Sequence, residues 1–178
     1  MFNNTKVTFY LCRKWLRESL RIAQLQNFDK KILDSLEKKI QFVIIKHDFP
    51  PFGRTEYEKC EIKISGECLM LKEKPVIFAK FKDWGLSEDK LVLLRRFLAG
   101  LPPEIIFDIF NQSVVDHNLL HHCFFRNGRN DSDNAANDFM IRFACYRGLK
   151  DQNWKAYSEI ISGLSKERVD LKNMEVTK

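Results

Sequence analysis

The stretch Cys60-Glu61-Ile62-Lys63-Ile64-Ser65-Gly66-Glu67-Cys68-Leu69-Met70-Leu71 decides whether this chain is all-helical or mixed. In its first half, charged and apolar residues alternate with a period of two, the pattern of a strand with one buried face. A two-residue turn at Ser65-Gly66 would pair Ile64 with Glu67, Ile62 with Leu69 and Cys60 with Leu71. That register puts Ile62, Ile64, Leu69 and Leu71 on one side, and it leaves Cys60 and Cys68 unpaired across the ladder. Val76 to Phe81, after Pro75, reads as a third strand. The expectation is a small antiparallel three-stranded meander over about residues 57–82.

Outward from the meander, both flanks read as helical. On the N-terminal side, helices are expected over 6–46. Phe9, Cys12, Leu16, Leu20 and Ala23 form one stripe, flanked by Trp15 and Ile22. Asn27 is a candidate N-cap for a second helix carrying Leu33, Leu36, Ile40, Val43 and Ile44. The run Gln41 to Ile45 is β-branched enough to be a strand instead. Asp48-Phe49-Pro50-Pro51-Phe52-Gly53 breaks the pattern as a loop, and its aromatic residues suit either a contact loop or a cover over the core.

On the C-terminal side, helices are expected over 87–172, followed by a frayed tail. Ser87, Asp116, Ser132 and Asp151 are candidate N-caps, and Gly148 is a candidate C-terminal stop. The fold class is therefore α+β, mostly helical, in a single domain spanning 1–178.

Composition narrows the function classes. Thirty Lys and Arg against 24 Asp and Glu give a formal charge of +6, which permits an acidic partner. No apolar run approaches the ~20 residues of a membrane span, so no membrane partner is expected. The N-terminus carries no basic region followed by an apolar stretch, and an intracellular location, cytoplasmic or nuclear, is the expectation. The five cysteines show no C-x-x-C spacing and read as free thiols. There is no G-x-S-x-G, P-loop or dinucleotide fingerprint; no cofactor is expected and a non-enzymatic role is favoured.

Three constellations remain as candidate sites. Arg13, Arg17 and Arg21 recur every four residues on the first helix, beside Lys14. Such a ridge could follow a phosphate backbone, or it could be a solvated face. His117 and His121 share a helix face at a spacing that suits two metal ligands; the alternative is surface and capping histidines. Cys123 follows His121 and His122, a nearness in sequence that does not by itself make a nucleophile and base.

Beyond these three stands Leu101-Pro102-Pro103-Glu104-Ile105-Ile106-Phe107-Asp108-Ile109-Phe110. Gly100 ends one helix, the prolines suit the first turn of the next, and Glu104 sits where the macrodipole favours an anion. This segment resembles the opening of an F-box, with Leu119 and Leu120 matching the second apolar cluster after one inserted residue. The pattern departs at Ser113, where an apolar residue is expected, and at Gly128-Arg129, where a Trp is common. The resemblance implies a protein-interaction module docking onto a Skp1-type adaptor of a ubiquitin-ligase scaffold. Leu101, Pro102, Ile105, Ile106, Ile109 and Phe110 would make the contact.

Overall fold

The computed structural model describes residues 5–45, 53–65, 74–83, 85–129 and 131–165. Seven helices and three strands follow in the order α1 Thr5–Leu25, α2 Lys30–Lys39, β1 Gln41–Ile45, β2 Gly53–Glu56, β3 Glu61–Ser65, α3 Lys74–Asp83, α4 Glu88–Gly100, α5 Pro103–Arg126, α6 Asp133–Gly148 and α7 Gln152–Ile161 among the described residues. A 3-10 turn, Ser162–Leu164, continues α7. The class is α+β and mostly helical.

The sheet differs from the meander that the sequence suggests. β3 is central, parallel to β1 and antiparallel to β2. The alternation in 61–64 is correct in phase: Ile62 and Ile64 are buried, while Glu61 and Lys63 are only partly covered. Its partners are different. The hairpin turn runs through Tyr57–Cys60, where Cys60 donates its N–H to the Tyr57 carbonyl at 3.2 Å and takes φ +53°. The expected turn at Ser65-Gly66 and its partners Glu67, Leu69 and Leu71 lie mostly outside the described residues, as do Phe49-Pro50-Pro51-Phe52 and the tail.

Val76 to Phe81 is part of helix α3, not a strand. The residues satisfy both periods: Ile77 and Phe81, four apart, are both buried, and Pro75 suits a helical first turn. Conversely, Gln41–Ile45 is strand rather than the end of a helix, so the N-terminal helices stop at Lys39. Asp29, not Asn27, caps α2 by accepting from the Ile32 N–H at 3.0 Å. Asn27 instead adopts φ +62° just after α1.

The largest correction concerns α5. Asp116 does not start a new helix; one helix runs 24 residues from Pro103 to Arg126, about 36 Å at the usual rise. It is the spine of the molecule, with α1, α6, α2 and the β2–β3 hairpin packed around it. Leu119 and Leu120 are fully buried on it. The core extends to Trp15, Leu16 and Ile22 of α1, Phe81 of α3, Leu94 of α4 and Phe143 of α6. Trp15 and Ile22, expected at the flank of the α1 stripe, lie at its centre, whereas Phe9 is 39% exposed.

Candidate functional site

The six residues of the F-box-like segment part company around α5. Ile106, Ile109 and Phe110 are buried, and the Phe110 ring meets Phe81 edge-on with centroids 5.9 Å apart. Pro102 and Ile105 are exposed, and Leu101 is half-buried against the core. Helical geometry explains the division: Ile106, Ile109 and Phe110 recur at three and four residues on the core side, and Ile105 falls outside that stripe.

The basic ridge lies along an open cleft of about 800 Å³, bordered by α1, α5, α6 and α7. Its four predicted cations are differently engaged. Arg13 donates to the Glu37 carbonyl at 3.2 Å and lies 6.0 Å from the Phe42 ring centre. Lys14 stands 3.7 Å from Asp108. Arg21 forks onto Glu18 at 2.9 and 2.8 Å, and this bond is the main cause holding the Glu18 carboxyl below its ordinary range. Arg17 is exposed and makes no ion pair among the described residues. Tyr10, 69% exposed, and Phe9 complete the rim.

The floor of this cleft is a buried polar network that sequence reasoning did not identify. Asp116, with no exposed surface, accepts two bonds from the Arg147 guanidinium, at 2.5 and 2.9 Å. Ser19 Oγ lies 2.6 Å from the same carboxylate. Gln112 donates to Ser19 Oγ and to the Trp15 carbonyl, each at 2.9 Å. Arg147 also stacks over Trp154 at 4.6 Å and reaches toward Glu18 at 3.6 Å. The network thus ties α1, α5, α6 and α7 at one point. Gln112 and Asp116, four apart on one helix face with Val114 and Val115 between them, were the available signal. At the rim, Trp15 donates its indole N–H to Asp108 at 2.7 Å.

On another face of α5, His117 and His121 come together as their spacing predicts, with Nε2 atoms 3.1 Å apart. Asp133, the first residue of α6, brings its Oδ1 to 3.1 Å from His121 Nε2 and 3.5 Å from His117 Nε2. Hydrogen bonding from His117 is the main cause lowering the Asp133 carboxyl to about 2. Asp131 accepts from His121 Nδ1 at 2.5 Å, and the Tyr57 hydroxyl donates to Asp131 in turn. Sequence spacing could not supply either aspartate, because the loop between α5 and α6 folds them back onto the helix.

His122 points elsewhere. Its Nε2 donates to the Glu61 carbonyl at 3.1 Å, tying α5 to β3, and its buried Nδ1 has no partner among the described residues. Cys123 is buried, and burial pushes its thiol up to about 12, which leaves it protonated and unsuited to nucleophilic attack at neutral pH. No helix among the described residues is long and apolar enough to cross a membrane. Comparison with family models, curated proteins and solved structures gives no match to this chain.

Proposed function

We propose that this protein is a binding module that takes single-stranded nucleic acid along the α1 cleft. The observation that carries the reading is the pairing, on one open groove, of an Arg17 with no ion partner among the described residues and an exposed Tyr10. Tyr10, Lys14, Arg17 and Arg21 recur at three and four residues, so one helix face presents a ring and spaced cations together. Cations displace counterions from a phosphate backbone, and an aromatic face supports a base regardless of its identity. Arg147 contributes little to the field, because Asp116 neutralises it.

Fluorescence anisotropy with a labelled oligonucleotide tests the reading. Tyr10→Ala should weaken binding by about 1–3 kcal/mol, the usual value of one stacked base. Arg17→Glu should weaken it for all sequences alike. Affinity untouched by both substitutions, or no affinity in the unaltered protein, removes the cleft from consideration.

A second reading is docking onto a Skp1-type adaptor through Leu101, Pro102 and Ile105. It is favoured by the exposure of Pro102 and Ile105 at the start of α5. Burial of Ile106, Ile109 and Phe110 leaves this surface only half of the resembling residues. Ile105→Asp should then abolish co-elution with a purified Skp1-type protein while leaving the melting temperature nearly unchanged. Absence of co-elution by the unaltered protein ends this alternative.

A further inference from the structure

We propose that His117, His121 and Asp133 form a binding site for a divalent first-row transition metal ion, with zinc as the committed occupant. Three donor atoms on a tetrahedral zinc at 2.0–2.1 Å stand roughly 3.3 Å from one another by geometry. Here the three separations are 3.1, 3.1 and 3.5 Å. The donor set is already gathered to the size of the ion, across two helices and the loop between them.

The protons of the cluster point the same way. The Asp131 carboxylate accepts from His121 Nδ1, so in the neutral ring it is Nε2 that offers a lone pair to an ion. His121 Nε2 lies 3.1 Å from the Asp133 Oδ1, so a proton or a metal ion stands between the two. A cation at the centre satisfies all three donors at once. Asp131 then has the place of the outer carboxylate that orients a metal-bound imidazole, and the Tyr57 hydroxyl secures Asp131 in turn.

Imidazole and carboxylate ligands suit zinc and its neighbours and do not suit magnesium, which keeps oxygen ligands and its water. The Asp133 side chain is 83% exposed while the histidines are 19% and 12% exposed. The site therefore opens to solvent on the Asp133 side, and a fourth position is left for water or for a group on another molecule.

The test is calorimetric titration of chelator-treated full-length protein with Zn²⁺ and separately with Mg²⁺. One equivalent of Zn²⁺ and no Mg²⁺ is the expected result. His117→Ala and Asp133→Ala should each remove the zinc heat, and Asp131→Asn should weaken affinity by about 10–100-fold. Asp133 is exposed enough that its replacement leaves the fold intact, which circular dichroism checks independently. Failure to take up one equivalent of Zn²⁺ overturns the proposal. So does an uptake that both alanine variants leave unchanged, since the ion would then sit elsewhere.

Discussion

Asp116 is a carboxylate with no solvent contact in the middle of a helix, and its environment explains why it is tolerated. Taking two ions out of water is costly, and only good geometry with further hydrogen bonds offsets it. Arg147 supplies the fork, and the Ser19 hydroxyl, 2.6 Å away and itself held by Gln112, adds a further bond to Oδ1. Asp116→Ala should therefore cost about 3–5 kcal/mol in urea unfolding, because it strands a buried guanidinium. The paired replacement Asp116→Leu with Arg147→Met should recover most of that loss. A double variant as unstable as the single one would mean that the network does more than neutralise itself.

His122 gives a second prediction at this scale. Burial lowers its pKa below the ordinary 6.5, against the bond to Glu61. The unfolded chain then takes up a proton near pH 6.5 that the folded chain still refuses. Stability from this residue is complete above that pH and declines as the pH falls toward the folded value. His122→Gln should flatten the stability profile as the pH falls below about 6.5. An unchanged slope would assign the acid sensitivity to another group.

Among the elements, legibility followed the length over which one period could be counted. The start of α5 was readable because Gly100, the prolines and Glu104 act locally, and the Ser132 and Asp151 caps were readable for the same reason. Ser132→Ala should lower stability by about 1 kcal/mol through loss of the bond to the Ala135 N–H. The strand phase in 61–64 was legible too, since alternation reports which face is buried. It does not report the partner: β1 lies parallel to β3 across a connection that local turn chemistry cannot specify. α3 was misread because a short apolar run fits both periods.

Gly148 had the right place and the wrong reason. It ends α6 without a left-handed φ, and a Cβ there would meet the Lys155 Cα at 2.8 Å. The glycine is needed where α6 and α7 cross closely. Gly148→Ala should destabilise by about 1–3 kcal/mol, as overpacking usually does, and thermal denaturation will measure it. A neutral or stabilising outcome would require the α6–α7 corner to shift.

In the whole molecule, α5 distributes the candidate sites. One side joins α1 at the basic cleft, another meets Asp131 and Asp133 at the histidines, and its first turn carries the F-box-like residues. The sequence could list the members of each group but could not separate core from surface within them. Ile105 and Ile106 are neighbours in sequence with opposite fates, and Asp116 is charged yet internal. Those assignments depend on which helices surround α5, which no local pattern records.

The central claim, that the α1 groove binds a phosphate backbone, is tested most directly by the salt dependence of oligonucleotide binding. The logarithm of affinity should fall linearly with the logarithm of salt concentration. Each phosphate contact contributes a slope of about −0.7 for a single strand, so Arg17→Glu should make the line shallower by at least that amount. A flat line for the unaltered protein, or an equal slope in the variant, would contradict the account.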